Sequence, residues 1–227
     1  MGVASARFWF PIEMNEFMKS IWTLLLGAML ALPANASGLD ALEAFVKNVK
    51  TGHAVFMQVV TAPAKDGQAA RSKTSSGTFE FSRPNRFRFD YLKPFAQTIV
   101  ADGQTLWLFD TDLNQATARS QVAALGSTPA ALIASAADLK ALEANFALSP
   151  APEKDGLEWV VATPKGSDNA LQSVRVGMKG SGLAVLEILD SFGQRSVMTF
   201  SAMQVNVVLD PTVFQFKPPA GADVVRQ

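Results

Sequence analysis

Hydrophobic and polar residues alternate along much of the chain, and the segment RFRFDY (86–91) shows this most clearly. Its aromatic residues occupy one set of alternate positions, and its arginines and aspartate occupy the other. Because successive side chains of a β-strand point to opposite faces, this segment is predicted to be a strand with one apolar and one polar face. The apolar face could belong to an ordinary sheet core or could line a cavity for an apolar ligand, and the segment alone leaves both interpretations open.

Comparable runs continue towards the end of the chain and are separated by turn residues such as Pro84–Asn85 and Asp102–Gly103. We predict about eleven strands in all. Besides 86–91, the segments with strand character are 53–60, 75–82, 97–102, 105–110, 114–120, 147–149, 157–163, 171–178, 183–190, 194–207 and 214–217.

Two regions have the character of helices instead. Leu42, Phe45, Val46 and Val49 are spaced as one apolar stripe of a helix, and Thr51–Gly52 is predicted to end it. A second helical region, rich in Ala and Leu, begins after Thr128 and Pro129, which suit the N-cap and the first helical position. Asp138 would divide this region into two short helices.

Short strands at this spacing favour a curved antiparallel sheet or a barrel. The interior of a barrel with more than about eight strands is too wide to be filled by side chains alone. The predicted fold is therefore mainly β with helices (α+β), in which either the helices plug the interior or a ligand shares it.

A secretory signal peptide is predicted at the N-terminus. Met18–Lys19–Ser20 is a short basic start, IWTLLLGAMLAL (21–32) is an apolar run, and Ala34–Asn35–Ala36 is a cleavage site of small residues. The apolar run is shorter than the about 20 residues of a transmembrane helix, although an uncleaved anchor stays an alternative. We expect residues 1–36 to be removed, with translation starting at Met1, Met14 or Met18, and residues 37–227 to form a single domain.

The composition argues against several function classes. The formal net charge is zero and there is no basic run, so no nucleic-acid partner is expected. The sequence has no cysteine, which excludes a disulfide, a thiolate nucleophile and a lipid attached to cysteine. His53 is the only histidine, and we expect it to be a satisfied or exposed surface residue. With no G-x-S-x-G motif, phosphate-binding glycine loop or metal-ligand cluster, we expect no cofactor and no metal. A pair of glycosidase-type carboxylates stays open.

Four segments stand in an order that resembles the LolA family: Arg83–Pro84–Asn85, FRFDY (87–91), IVADGQTLW (99–107) and NQAT (114–117). The resemblance extends over nearly all of residues 37–227, and it includes the closing FQFKPP (214–219). Members of this family are periplasmic chaperones that carry lipoproteins to the outer membrane of Gram-negative bacteria. The resemblance implies an incomplete antiparallel β-barrel of about eleven strands with a helical lid over an apolar cavity.

The resemblance also implies functional residues. In the family, an arginine just before the Pro–Asn pair hydrogen-bonds the backbone of the lid and of the first helix and holds the empty carrier closed. The corresponding lid latch here is Arg83 with Val46, Leu132, Ile133 and Ala134. Together with the apolar strand residues, the resemblance implies an acyl-chain cavity with Phe87 at its mouth, lined by Phe56, Phe79, Phe87, Phe89, Tyr91, Trp107, Phe109, Met198 and Phe200.

By this resemblance, we expect a monomeric, non-enzymatic chaperone of the periplasm. It would accept lipoproteins that an inner-membrane ABC transporter releases, shield their acyl chains and deliver them to an outer-membrane receptor lipoprotein. Because that receptor needs a lipidated cysteine, the absence of cysteine favours the carrier over the receptor. A periplasmic carrier or sensor of another lipid with the same fold is the main alternative, and an exported hydrolase of lipid or sugar is the other.

Overall fold

The computed structural model describes residues 37–64, 69–125, 136–166 and 171–227. They belong to one compact unit that spans Ala36–Gln227. The predicted signal peptide and most of the predicted lid lie outside the described residues. Within the described part of the chain, no helix is long and apolar enough to cross a membrane.

The described residues form mostly strands. The helices are α1 (Gly38–Asn48), α2 (Gln121–Leu125), α3 (Leu139–Asn145) and a 3-10 turn (Pro211–Phe214). The strands are β1 (Thr51–Thr61), β2 (Ser72–Ser82), β3 (Arg86–Lys93), β4 (Gln97–Ala101), β5 (Thr105–Asp110), β6 (Gln115–Ser120), β7 (Phe146–Lys154), β8 (Leu157–Pro164), β9 (Leu171–Lys179), β10 (Gly182–Asp190), β11 (Arg195–Val205) and β12 (Asp223–Arg226).

Helix α1 has the predicted apolar stripe but ends earlier than predicted. Ser37 and Asp40 form a capping box at its start, which satisfies two of the backbone N–H groups that a helix leaves free. The helix ends at Asn48, and Thr51–Gly52 already belongs to β1. Gly52 is required by packing, because a Cβ there would lie 2.3 Å from Cε1 of Phe81.

All twelve strands of the described chain form one open sheet in the order β12-β6-β5-β4-β3-β2-β1-β11-β10-β9-β8-β7. Its neighbours are antiparallel except β12, which pairs with β6 in parallel. The prediction of a strand at 214–217 was wrong. Asp210 caps a 3-10 turn that contains Phe214, and the last strand forms instead at Asp223–Arg226.

The sheet is curved around α1. Phe45 of α1 contacts Phe81 on β2, with ring centroids 6.1 Å apart, whereas Gly38 lies against the backbone of Trp159 on β8. In a flat sheet β2 and β8 would be about 24 Å apart. The helix from Gly38 to Phe45, which contacts both strands, is only about 10 Å long. The sheet therefore bends, and this agrees with the predicted incomplete barrel.

Burial divides the sheet into two faces. The inner face packs against α1 and α3 and carries the larger apolar cluster, which extends from Phe87 and Ala101 on one side to Phe146 and Val160 on the other. The outer face carries a smaller cluster on β4, β5 and β6, which the C-terminal segment covers through Phe216 and Ala222. The inner face is therefore the place for a cavity that the helices could cover.

Candidate functional site

The strand register brings a set of aromatic rings together on the inner face. Phe81 is paired with Phe87 and Phe79 with Phe89 across β2 and β3, while Phe56 is paired with Phe200 across β1 and β11. The rings of Phe79 and Phe89 stack with centroids 4.3 Å apart. We call these residues the aromatic cluster: Phe56, Phe79, Phe81, Phe87, Phe89 and Phe200.

Most of the residues predicted to line a cavity are in or beside this cluster. Phe56, Phe79 and Phe87 are each 1% exposed. Phe89, Met198 and Phe200 are buried in the same apolar core, and Tyr91 packs against it while partly exposed. The charged residues of the alternating segment lie on the other face, where the carboxylate of Asp90 accepts from Arg88 Nε at 2.6 Å.

Trp107 and Phe109 are the exceptions, because they lie on the outer face. Register explains this: Phe87 is paired with Ala101, and Ala101 with Leu106. Leu106 therefore shares the inner face, and Trp107 and Phe109 point the other way. Both pack instead against Phe216, with ring centroids 5.4 and 5.6 Å away. The expectation that they line the same cavity is corrected.

Arg83 is buried at one end of the inner face, in the turn between β2 and β3, and is 8% exposed. Its Nε donates to the carbonyl oxygen of Val49 at 2.9 Å, and its Nη1 donates to the carbonyl oxygen of Ala136 at 2.9 Å. We call Arg83, Val49 and Ala136 the latch. Val49 is the C-cap of α1, so its carbonyl has no intrahelical donor. The carbonyls at the C-terminal end of a helix also attract a cation.

The surroundings of Arg83 are apolar. The guanidinium carbon lies 5.3 Å from the ring centroid of Phe45 and 5.2 Å from that of Phe81, a geometry that stabilises a cation between two ring faces. Burial lowers the pKa of Arg83 to about 10, so the side chain is charged at neutral pH. Its Nη2 has no hydrogen-bond partner within the described ranges.

The partners of Arg83 differ in part from those predicted. Val46 is buried in the core, and the helix carbonyl that accepts from Arg83 is that of Val49, where α1 ends. Leu132, Ile133 and Ala134 lie outside the described residues. The described contact on that side of the molecule is Ala136, just before α3.

Gln121 is a buried residue that the sequence analysis missed, and it is 1% exposed. Its Oε1 accepts from the backbone N–H of Gly103 at 2.8 Å, and its Nε2 donates to the carbonyl oxygen of Asn85. Gln121 therefore ties the turn after Arg83 to the β4–β5 hairpin, at the start of α2. The sequence carries no local sign of this, because the two contacts are 18 and 36 residues away along the chain.

The inner face becomes polar at the end opposite Arg83. There the hydroxyl of Tyr91 donates to Oε1 of Gln58 at 3.0 Å, and Nε2 of Gln58 donates to the hydroxyl of Ser196 at 2.8 Å. Beyond them is a groove of about 530 Å³ whose lining includes Gln97 and Asp110.

Within the part of the chain that the structure describes, no group of His, Cys, Asp and Glu could hold a metal ion. His53 faces Glu80, with 3.2 Å between Nδ1 and Oε1, and both belong to adjacent strands of the sheet. His53 therefore has a polar partner on the neighbouring strand, as expected for a satisfied residue.

Comparison with known proteins gives consistent matches. The family model described as outer membrane lipoprotein carrier protein LolA matches residues 47–217. A protein of Albidiferax ferrireducens, named outer-membrane lipoprotein carrier protein, is 65% identical over 214 residues, which cover 92% of this chain and 100% of the relative. A protein of the same name from Methylibium petroleiphilum is 50% identical, and the match covers 91% of this chain and 98% of the relative. Another from Leptothrix cholodnii is 52% identical, and the match covers 86% of this chain and 88% of the relative.

Proposed function

Because the chain belongs to the LolA family of outer membrane lipoprotein carriers, we propose that it shields the acyl chains of lipoproteins on its inner face and that Arg83 controls access. The chain is a periplasmic lipoprotein carrier. The observation that carries the proposal is the position of Arg83, which holds the end of α1 and the segment before α3 together over the aromatic cluster.

The aromatic cluster is suited to acyl chains by its chemistry. It is apolar and lies on one face of a curved sheet, and Phe45 of α1 packs on it at Phe81, while α1 otherwise packs against β7 to β10. A helix that is held at its end by side-chain hydrogen bonds can move away at smaller cost than a strand that shares a backbone ladder. Acyl chains would then replace the contacts that α1 makes in the closed carrier.

The energetics favour partial burial of the cargo. Each buried methylene contributes about 0.8 kcal/mol, so complete burial of several long chains would exceed the practical limit of roughly 18–21 kcal/mol for non-covalent binding. A carrier has to release its cargo. Opening the latch offsets part of the binding energy, since hydrogen bonds from a charged donor contribute about 1.5–3 kcal/mol each.

We propose the following partners and route. The carrier receives lipoproteins from an inner-membrane ABC transporter and passes them to an outer-membrane receptor lipoprotein, acting as a monomer and without catalysing a reaction. Residues 1–36 act as the signal peptide that directs export to the periplasm and are then removed. The absence of cysteine from the sequence supports the carrier over the lipidated receptor.

The proposal is tested with the protein purified from the periplasm after export. It is incubated with spheroplasts that contain a newly made, labelled outer-membrane lipoprotein, and the soluble fraction is analysed for a one-to-one complex. We expect the parent to release the lipoprotein and to deliver it to outer membranes. Arg83→Leu should release it but deliver it poorly, because nothing then drives the carrier to close.

Arg71→Leu is the matched control, because Arg71 is exposed and lies just before β2. It should behave like the parent in both steps. Equal delivery by Arg83→Leu and the parent would contradict the role of the latch. Failure of the parent to release any lipoprotein, while it still binds an apolar probe, would indicate a carrier of another lipid.

A further inference from the structure

The inner face changes from apolar to polar along the strand direction. Near Arg83 its cross-strand neighbours are aromatic or aliphatic, such as Phe81, Phe87 and Ala101. Four residues further along β3, Tyr91 is paired with Gln97, and Gln97 is paired with Asp110. An acyl chain that enters beside Phe87 and follows the strands therefore meets polar side chains at the level of Tyr91.

The polar residues at this level are linked across three strands. Tyr91 on β3 donates to Gln58 on β1, and Gln58 donates to Ser196 on β11, at 3.0 and 2.8 Å. Ser196 is 8% exposed. The ring of Tyr91 contacts Phe56 edge-on, with centroids 4.9 Å apart. We call Tyr91, Gln58 and Ser196 the polar floor, because they close the aromatic cluster on the side away from the latch.

A groove of about 530 Å³ lies on the far side of the polar floor. Its lining is mixed: Gln58, Ser75, Tyr91, Gln97, Asp110 and Asp112 are polar, whereas Pro94, Phe95 and Leu113 are apolar. The barrier to an alkyl chain is therefore the floor itself, because a chain that passed it would break the hydrogen bonds of Tyr91 and Gln58. Leaving such buried polar groups without partners is more unfavourable than the gain from burying one further methylene.

We propose that the polar floor sets the length of acyl chain that this carrier can bury, at about eleven carbons. The levels of Phe87 and Tyr91 are roughly 13 Å apart, and an extended chain with C–C bonds of about 1.5 Å and angles of about 111° advances only about 1.25 Å per bond. This inference rests on the proposed function of the inner face. Longer chains bend back or leave their ends outside the cluster, so their extra methylenes add little affinity. Tyr91 and Gln58 are thus specificity-determining residues for chain length.

The experiment measures displacement of a fluorescent apolar probe from the periplasmic protein by saturated fatty acids of about eight to about eighteen carbons, below their aggregation concentrations. For the parent, affinity should rise about fourfold per methylene, from about 0.8 kcal/mol each, and should level off near about eleven carbons. In Gln58→Leu combined with Tyr91→Phe, the short acids should bind as before. The rise should continue to longer acids, which should bind at least about tenfold tighter than to the parent.

Gln172→Leu is the control, because Gln172 is exposed on β9 and its replacement should leave the parent profile unchanged. Gln58→Met is the second variant, in case the double variant does not fold, and it should move the levelling point in the same direction. A parent profile that keeps rising, or variants that level off at the same length as the parent, would overturn the proposal. Absence of binding for every acid would overturn the proposed acyl cavity itself, which separates the two failures.

Discussion

Arg83 and Tyr91 are two polar side chains placed at opposite ends of one apolar cluster. The cationic group of Arg83 is held between two ring faces and bonded to two carbonyls, whereas the phenol of Tyr91 stays neutral and donates to an amide. Buried polar groups are tolerated when they have partners of this kind. These two residues therefore define where the apolar part of the inner face begins and where it ends.

Titration of Tyr91 tests the burial of the polar floor directly, because Tyr91 is the only tyrosine in the sequence. Burial raises its pKa from about 10 to about 12. The phenolate absorbance of the folded protein should therefore appear well above pH 10, and in urea it should appear near about pH 10. A folded-state midpoint near the urea value would contradict the burial of this hydroxyl.

The same shift predicts a loss of stability in alkali. Because the neutral phenol is favoured in the fold, Tyr91 stabilises the protein below the unfolded pKa of about 10, and this contribution is lost as the pH rises towards about 12. The lowered pKa of Arg83 has the opposite effect on the free energy of unfolding in this range, because here the folded protein binds fewer protons at this residue than the unfolded chain does. The comparison is therefore between the parent and Tyr91→Phe, and the variant should lose less unfolding free energy between pH 10 and pH 12.

At the scale of elements, the two faces of the sheet are expected to act independently. The C-terminal segment covers the outer face through Phe216, which packs on Trp107 and Phe109, and β12 pairs with β6 at the sheet edge. Neither contact reaches the aromatic cluster. The outer face should therefore contribute to stability and not to binding of an apolar probe.

Phe216→Ala tests this separation. The free energy of unfolding in urea should fall by about 1–2 kcal/mol, less than for a fully buried phenylalanine because Phe216 is only partly buried. The affinity for a fluorescent alkyl probe should stay within about twofold. Phe192→Ala is the control, since Phe192 is 80% exposed and its removal should change stability by at most about 0.5 kcal/mol. Much weaker probe binding by Phe216→Ala would show that the two faces are coupled.

Local pattern was sufficient to predict most elements, and it failed where the outcome depends on distant partners. The alternation at 86–91 identified β3 and its two faces, because period and burial are properties of one strand. The face on which Trp107 and Phe109 lie depends on the register of β5 against β4. The sequence of β5 does not decide it, because Leu106 and Leu108 make the opposite face apolar as well. The strand β12 is four residues long and has a parallel partner more than a hundred residues earlier, so no local signal marks it.

The candidate site was predictable only in part for the same reason. Resemblance pointed to Arg83 and Val46, but it did not fix which helix carbonyl accepts from Arg83. That acceptor is Val49, because α1 ends just before it and leaves its carbonyl without an intrahelical donor. Gln121 joins two turns, and the polar floor joins three strands. Neither the hydropathy of these residues nor their spacing along the chain sets them apart.

At the scale of the whole molecule, a carrier has to balance retention of its cargo against release. On the proposed mechanism the empty carrier is closed: Phe45 of α1 packs on Phe81 of the aromatic cluster, and Arg83 bonds the end of α1. The apparent affinity for an acyl chain is then the affinity of the open state multiplied by the fraction of molecules that are open. On the proposed mechanism, the latch lowers this fraction.

Arg83→Leu should therefore bind a fluorescent alkyl probe more tightly than the parent. Two hydrogen bonds from a charged donor, at about 1.5–3 kcal/mol each, predict an increase of about a hundredfold or more, with slower dissociation of the probe. Arg83→Lys should give an intermediate affinity, because a single ammonium does not present the planar fork that reaches both carbonyls. If Arg83→Leu is folded by circular dichroism and binds the probe no more tightly than the parent, the latch does not oppose opening, and release must be driven by the receptor alone.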